Sequence, residues 1–377
     1  MATRTRKKTF VRYAVVGLGY FAQTAVLPAF KNPKVARKSR LEALVSDDLT
    51  KLETLGEEYG VPLEQRVTYD EYDQLLASGN IDAVYIALPN SLHREFAIRA
   101  ARAGVHVLCE KPLGVTPDDA EAMIAACEEA RVKLMTAYRL HFEEANLRAV
   151  EIVQSGELGQ PRYFSSTFSM QVKEGNIRLD REMGGGPLWD IGIYCINAAR
   201  SLYREEPVAA FAFGGRPADD PRFKEVHEQV SCLLDFGEDR LAQFTCSFGA
   251  ADLSAYDIVG DKGHLHVEPA FEFAADLKHA LTIDGKTTRK TFKKRDQVGP
   301  ELIYFSRCVL ENRDPEPSGR EGLADLRVID ALYRSMKTGR PVELPPFEKP
   351  ERPTLDQEIH VEAHREPELV NAETPGP

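Results

Sequence analysis

The fold of the first part of the chain is indicated by the segment Tyr13-Ala-Val-Val-Gly17-Leu-Gly19-Tyr-Phe-Ala22. An apolar run ends at two glycines, which predicts a strand, a tight turn and the start of a helix. Gly17 permits the turn, Gly19 lets a pyrophosphate approach the backbone, and Ala22 allows the helix to pack closely on the strand. The alternative is a glycine turn that binds nothing. The residues predicted here to bind a dinucleotide are Gly17, Leu18, Gly19, Tyr20 and Phe21.

Around this motif, short apolar runs alternate with longer amphipathic stretches from residue 11 to residue 137. Alternation of this kind predicts a parallel, doubly wound sheet with crossover helices. The predicted strands are residues 13–17, 41–45, 83–88, 106–109 and 133–137. The predicted helices are residues 50–59, 69–77, 91–103 and 117–130.

The composition changes after a predicted linking helix at residues 144–154. Segments rich in Phe, Val, Thr and Tyr predict a large, mostly antiparallel open sheet with a helix at 188–202 beside it. The fold class is therefore α/β, a doubly wound domain followed by a C-terminal α/β domain whose open sheet face is a natural dimer surface. The predicted strands of this sheet are residues 162–172, 208–213, 229–236, 241–248 and 264–267.

The predicted organisation has four parts. An N-terminal arm covers residues 1–10, a dinucleotide-binding domain 11–137, and a substrate and oligomerisation domain 138–343. Residues 344–377 contain seven prolines and many glutamates, so they are predicted to form a tail. Two alternatives stay open for this tail, which either clasps a neighbouring subunit or is disordered.

Composition excludes several classes of protein. Lys plus Arg is 48 against Asp plus Glu at 59, and the net charge of −11 argues against a nucleic-acid partner. No run of 18 apolar residues exists, which argues against a membrane span. The six cysteines are too dispersed for a redox pair or a zinc site, so no metal is predicted. The basic segment 4–8 lacks the apolar stretch of a signal peptide, which predicts a solvated arm and a cytoplasmic protein.

The tip of the second predicted strand bears on the choice of cofactor. Asp47 is placed to accept the ribose hydroxyls of NAD. Ser46 and Lys51 are placed instead to hold the 2'-phosphate of NADP through a hydroxyl group and a cation. A third interpretation is that Asp47 and Asp48 only cap the next helix. We favour NADP(H) and leave NAD(H) open.

Two further motifs supply groups for chemistry. Glu110-Lys111-Pro112 ends a predicted strand at the sheet edge where open α/β folds bind ligands. A run of three glycines from Gly184 precedes Asp190 and Tyr194, whose spacing of four places them on one helical face. Structural explanations without catalysis stay open for both residues. They are a surface salt bridge between Lys111 and Glu110, and a Tyr194 hydroxyl group that is simply buried and hydrogen-bonded.

A lysine beside a tyrosine forms a workable proton relay. An ordinary tyrosine hydroxyl, with a pKa of about 10, is a poor base at neutral pH. An ammonium group about 4 Å away favours the phenolate by up to about 4 kcal/mol at an effective dielectric constant near 20, before desolvation opposes it. The pair predicts proton transfer to and from a substrate hydroxyl.

Four motifs together resemble the glucose-fructose oxidoreductase family, also called Gfo/Idh/MocA oxidoreductases. The similarity extends over residues 11–343. Tyr194 stands where many members of the family have histidine, so the chain is similar to the tyrosine-type branch. The motifs are Gly17-Leu-Gly19, Pro89-Asn90-Ser-Leu-His93, Glu110-Lys111-Pro112 and Asp190-Ile-Gly-Ile-Tyr194.

The resemblance implies a Rossmann domain, a C-terminal α/β domain that packs in homodimers or homotetramers, and a sugar oxidoreductase that uses NADP(H). It implies that Lys111 lies between nicotinamide and substrate and that Tyr194 is the acid/base, while Asp190 accepts a second hydroxyl bond. Whether the cofactor is retained, so that oxidation of one sugar is coupled to reduction of another, stays open. The cofactor residues that it adds are Leu88, Pro89, Asn90, His93 and Glu110, and the candidate contacts to sugar hydroxyls are Arg139, His141, Arg178 and Asn197.

Alternatives remain for individual residues and for the function as a whole. His141 is as well explained as a packed core histidine, and Arg178 as a solvated loop charge. The alternative functions are a trans-dihydrodiol or dicarbonyl oxidoreductase, and a nucleotide-sensing protein that binds without catalysis. Intact Lys111 and Tyr194 argue against the second of these.

Overall fold

The computed structural model describes residues 8–376. The predicted N-terminal arm therefore lies outside the described residues except for residues 8–10. Of these, Lys8 donates to the Asp82 carboxylate at 2.5 Å. Among the described helices, none is both long and apolar enough to cross a lipid bilayer.

The first sheet confirms the predicted parallel, doubly wound fold. Its six strands run in the order β3-β2-β1-β4-β5-β6, and all pairs are parallel. Helices cover both faces, so its central strands are almost entirely buried and read as apolar runs. The strands are β1 Val11–Val16, β2 Ser39–Val45, β3 Arg66–Val67, β4 Ala83–Ile86, β5 His106–Glu110 and β6 Leu134–Ala137.

The helices of this domain agree with the predicted ones, with local differences. Residues Ala22–Val26 after the glycine turn are π-helical, and β2 begins two residues before the predicted strand. The short β3 was not predicted because two residues carry no periodicity. The α-helices are α1 Leu27–Phe30, α2 Pro33–Ala36, α3 Leu49–Glu58, α4 Tyr72–Ala77, α5 His93–Arg102 and α6 Pro117–Ala130, and short 3₁₀ turns cover Leu63–Gln65 and Asn90–Leu92.

The second sheet has nine strands in the order β14-β13-β12-β11-β7-β10-β9-β8-β15. Only β7 and β10 pair in parallel, so the predicted mostly antiparallel sheet is confirmed. One face packs on helices, and residues alternate between buried and exposed along β9. The strands are β7 Pro161–Ser169, β8 Ala209–Gly215, β9 Gln229–Asp235, β10 Leu241–Ser247, β11 Leu253–Gly260, β12 Gly263–Val267, β13 Leu277–Ile283, β14 Lys286–Phe292 and β15 Val342–Glu343.

Two long helices were not predicted. One of them packs in the core of the first domain. Helix α9 follows β14 of the second sheet in sequence, yet its Leu302 and Phe305 belong to the same core cluster as Val15 of β1. The range 138–343 therefore does not form a single core of its own. The helices of this half are α7 Glu144–Gln154, α8 Ile193–Tyr203, α9 Val298–Glu311 and α10 Gly319–Thr338, with a π-helical turn at Leu188–Gly192 and 3₁₀ turns at Arg139–His141, Ile177–Leu179, Pro221–Phe223 and Leu355–Gln357.

The tail after β15 lies along its own chain as a wrapping arm. Val361 is fully buried in the core cluster of the first domain. Lys349 is buried and forms ion pairs with Glu316 and Glu321 at 2.7 and 2.5 Å. The tail is thus held by apolar contacts and charge pairs despite its low apolar periodicity.

Candidate active site

A cleft of about 1220 Å³ lies at the carboxyl edge of the first sheet, between that sheet and β7 and β11 of the second sheet. It exceeds the roughly 300–1,000 Å³ of an ordinary small-molecule pocket. The glycine turn, the end of β5 and the turn before α8 all reach it. The cleft therefore has room for a dinucleotide and a second ligand.

The glycine turn is shaped for close approach of a ligand. Gly17 has a φ of +92°, and a Cβ atom there would lie 2.4 Å from the Ala87 carbonyl oxygen, so no side chain fits. At Gly19 a Cβ atom would have no neighbour within 4 Å, which leaves the backbone open to the cleft. The five predicted residues from Gly17 to Phe21 all line the cleft.

The end of β2 supports one of the cofactor alternatives. Ser46 and Lys51 both line the cleft. Asp48 is the N-cap of α3 and accepts from the Lys51 backbone N–H at 3.0 Å. Asp47 is not among the lining residues, because its carboxylate accepts from the Tyr69 backbone N–H at 2.9 Å. The cleft therefore presents a hydroxyl and an ammonium group here, which fits a 2'-phosphate better than a free ribose hydroxyl.

Lys111 and Tyr194 lie close together in the cleft. The Lys111 Nζ lies 4.8 Å from the centre of the Tyr194 ring. The same Nζ donates to the Asp190 backbone oxygen at 2.7 Å and to its carboxylate at 3.2 Å. The salt bridge between Lys111 and Glu110 is not what the structure shows, since Glu110 instead accepts from the Tyr85 hydroxyl at 2.6 Å.

Local structure explains how these groups converge. Lys111 directly follows β5, and the peptide bond to Pro112 is cis. The glycine run approaches the first domain closely, because a Cβ atom on Gly184 would lie 2.8 Å from the Asn90 side chain. The Asn90 amide also donates to the Gly184 oxygen at 2.8 Å. This contact holds the turn that carries Asp190 against the first domain.

Arg139 contacts the Tyr194 hydroxyl, which the sequence did not predict. Its Nε donates to the Tyr194 Oη at 3.2 Å. Its other nitrogens donate to the Gln297 side chain and to the Phe271 carbonyl oxygen. Arg139 was predicted to bind a sugar hydroxyl, whereas in the structure it donates to the Tyr194 hydroxyl oxygen. The only available signal was its place in the Tyr138-Arg139 motif.

The charged groups around Lys111 and Tyr194 stabilise one another in their ionised forms. Burial would raise the pKa of Asp190, but Arg178 and Lys111 hold it well below its ordinary value. Burial would lower the pKa of Lys111, but Tyr194, Asp190 and Glu110 outweigh that and raise it. At neutral pH the lysine is therefore a cation and the aspartate an anion. Arg178, predicted to bind sugar, donates to the Asp190 carboxylate at 2.6 Å and lines the cleft.

Three predicted site residues lie outside the cleft, and their assignment is corrected here. His93 is fully buried, and its two ring nitrogens pair with the Pro112 and Leu88 carbonyl oxygens, so it fixes the loops around the cleft. His141 bonds the Asn197 side chain at 2.8 Å, and both line a separate cavity of about 30 Å³ behind Tyr194. Burial lowers the pKa of His141 to about 4, and this side chain is 2% exposed, which fits its interpretation as a packed core histidine.

The remaining predicted residues do line the cleft. They include Leu88, Pro89, Asn90 and Glu110 on the side of the first domain. The sequence missed six polar residues on or near strands of the second sheet that line the same cleft, because isolated polar residues carry no motif. These are Ser169, Gln171, Asp252, Ser254, Glu268 and Glu272.

Comparisons with known proteins agree with this geometry. Residues 11–138 match the family model described as an oxidoreductase family with an NAD-binding Rossmann fold, and residues 146–266 match the Gfo/Idh/MocA C-terminal domain. The chain is 33% identical over 338 residues to D-xylose 1-dehydrogenase (NADP(+)) 2 of Haloferax volcanii, covering 88% of this chain and 99% of that protein.

Two solved structures are similar to this chain over most of its length. The aldose-aldose oxidoreductase of Caulobacter crescentus, complexed with glycerol, is 39% identical with a TM-score of 0.83, covering 89% of this chain and 100% of that chain. A 3-ketoreductase of Actinomadura kijaniata, in complex with NADP and TDP-benzene, is 26% identical with a TM-score of 0.78, covering 86% and 98%. With its Rossmann sheet, open second sheet and paired Lys111 and Tyr194, the chain belongs to the Gfo/Idh/MocA family of oxidoreductases.

Proposed function

We propose that the chain is an NADP(H)-dependent aldose oxidoreductase that interconverts a sugar hydroxyl and the corresponding carbonyl. The observation that carries the proposal is the meeting of Lys111 and Tyr194 in one cleft, with the Lys111 Nζ 4.8 Å from the tyrosine ring. The likeness to a xylose dehydrogenase and to an aldose-aldose oxidoreductase supports an aldose as the substrate.

The glycine turn, Ser46 and Lys51 would hold the cofactor. NADP(H), when bound, supplies the hydride acceptor or donor, which no side chain of the protein supplies. The positive charge of Lys51 beside the Ser46 hydroxyl favours NADP(H) over NAD(H). The likeness to a dehydrogenase named for NADP(+) supports the same choice.

Each catalytic side chain has a separate task. Tyr194 accepts the proton of the substrate hydroxyl during oxidation and returns it during reduction. Arg139 fixes the Tyr194 Oη by donating to it at 3.2 Å. Lys111, fixed as a cation by Asp190, orients the reacting oxygen and stabilises negative charge that develops on it.

A sugar suits the rest of the cleft. Asp252 and Glu272 place two carboxylates in the half of the cleft formed by the second sheet. Asp190 already binds Lys111 and Arg178, but its carboxylate oxygens retain acceptor capacity for a hydroxyl group. An aromatic dihydrodiol presents only two hydroxyls, so at least one of these three carboxylates would lose its hydration without a new partner.

The Tyr194→Phe variant tests the function. We expect a panel of aldoses to be oxidised with NADP⁺ by the native chain, and turnover to fall about 100-fold or more in the variant, because the proton acceptor is removed. Binding of NADPH, measured by its fluorescence, should be nearly unchanged. Equal turnover in the variant contradicts the assignment of Tyr194. Faster oxidation of aromatic trans-dihydrodiols, assayed beside the aldoses, contradicts the substrate class.

We propose that the chain assembles as a homodimer or homotetramer and works in a reducing compartment such as the cytoplasm. Large apolar side chains are exposed on the open sheet, Phe213 at 68% among them, which favours burial against a second copy. The six cysteines, all buried and unpaired within residues 8–376, fit a compartment that keeps thiols reduced.

A further inference from the structure

Residues 370–376, here called the C-terminal strap, join the two halves of the cleft. The strap begins on the first domain, where Val370 pairs with Gln23 through both of its backbone groups. The Val370 N–H donates to the Gln23 Oε1 at 2.8 Å, and its carbonyl oxygen accepts from the Gln23 Nε2 at 2.9 Å. The same Nε2 also donates to the Leu18 carbonyl oxygen at 2.9 Å. One buried amide thus links the strap to the glycine turn.

The next residue of the strap reaches the predicted 2'-phosphate pocket. The Asn371 amide donates to the Asp48 carboxylate at 3.2 Å. Asp48 caps the helix that carries Lys51, and Ser46 lies two residues earlier in the chain. Asn371 has a φ of +45°, a conformation that asparagine adopts more readily than most residues. The strap therefore turns beside the residues that would hold the phosphate.

The other end of the strap rests on the second domain. Glu373 pairs with the Lys173 Nζ at 2.7 Å, and the Lys173 N–H donates to the Pro375 carbonyl oxygen at 3.0 Å. Pro375 and Gly376 line the cleft itself. Within six residues the chain crosses from the glycine turn to the second sheet, over the end of the cleft that holds Ser46 and Lys51.

The preceding tail keeps the strap close to the cleft. Val361 is fully buried, and the His364 ring pairs with the Thr24 carbonyl oxygen at 2.7 Å, six residues before Val370. A short tether of this kind gives the strap a high effective concentration at its binding surface. The contacts that hold the strap to the second domain are exposed, with the Glu373 side chain 79% accessible. Each contact is therefore weak, and the strap is able to open.

We propose that the C-terminal strap slows the release of NADP(H), because the strap must move away from the cleft before the cofactor can leave. This inference rests on the proposed function.

The test compares the release of NADPH from the full chain and from a chain that ends at Leu369. Each protein is loaded with NADPH and chased with excess NADP⁺, and the loss of bound-NADPH fluorescence gives the release rate. We expect release to be about tenfold faster or more without the strap, a ratio that corresponds to roughly 1.4 kcal/mol. Equal rates overturn the proposal, whereas failure of both chains to bind NADPH or oxidise aldoses overturns the proposed function instead.

Charge variants provide a control that keeps the full chain. Glu373→Lys places two cations together and should speed release about threefold, within the range expected for an exposed ion pair. The double variant Lys173→Glu with Glu373→Lys restores opposite charges and should return the native rate. If the double variant releases NADPH as fast as the single variant, the contact between strap and second domain does not retain the cofactor.

Discussion

Lys51 is the cation that we expect to distinguish NADP⁺ from NAD⁺. Lys51→Ala should weaken binding of NADP⁺ by about tenfold and leave binding of NAD⁺ nearly unchanged, because a charge-assisted bond to the phosphate contributes roughly 1.5–3 kcal/mol at most. Titration calorimetry with both nucleotides measures the two affinities.

Lys31→Ala is the matched control for this prediction. Lys31 pairs with Glu58 on the surface at 2.7 Å and does not line the cleft, so its removal changes the net charge by the same amount. Equal losses in the two variants would mean that only the overall charge matters. An unchanged preference in Lys51→Ala contradicts the assignment of Lys51.

The sequence identified the groups of the candidate site better than their contacts. Lys111 and Tyr194 were predicted from motifs and meet in the structure. The bond from Arg139 to the Tyr194 hydroxyl was not predicted, because it depends on Gln297 and Phe271, more than 130 residues further along the chain. Contacts that depend on distant parts of the chain leave no periodicity in the sequence.

His106 begins β5 and pairs that strand with β6. Its Nδ1 accepts from the Lys133 backbone N–H at 2.9 Å, and burial lowers its pKa to about 4. In the unfolded chain the pKa is about 6.5. Between these values the unfolded state binds a proton that the folded state does not, so stability falls as the pH falls through this window.

His106→Asn should remove this dependence, because the amide oxygen replaces the Nδ1 acceptor and does not titrate. Relative to the variant, the native chain should lose up to about 3 kcal/mol of unfolding free energy between pH 7 and pH 4. Urea unfolding at several pH values measures the difference. Parallel curves for the two proteins contradict the prediction, since the other histidines contribute equally to both.

Elements were predictable where one physical signal dominated. Helix α6 begins at Pro117 and ends at Ala130, as predicted, because Thr116 forms a capping box with Asp119 and the apolar spacing is regular. Strand β14 was missed, because six of its seven residues are exposed at the edge of the sheet and the run is polar. An edge strand of this kind is specified by its neighbour, not by its own pattern.

The open face of the second sheet gives a prediction for the whole molecule. Phe213 and Leu233 are 68% and 42% exposed on adjacent strands, and we expect a second copy to cover them. Replacing both by Glu should convert the native oligomer to monomers, because burial of two carboxylates in an apolar interface is costly. Sedimentation velocity measures the masses.

Gln74→Glu with Asn80→Glu is the control. Both residues are exposed in the first domain, away from the open face of the second sheet, so this variant adds the same charge without changing that face. A native chain that sediments as a monomer contradicts the proposed assembly. Full dissociation of the control to the same extent would show that charge alone, and not apolar contact, decides association.

Helix α9 also limits how the molecule can be divided. Its Leu302 and Phe305 complete the packing beneath β1, although some 160 residues separate them from the end of the sixth strand. A fragment that ends at Ala137 would expose the apolar residues beneath β1 to water and would be prone to aggregate. We therefore expect the nucleotide-binding half not to fold as an autonomous module, so that grafting it onto another protein would require carrying α9 along as a second, non-contiguous piece.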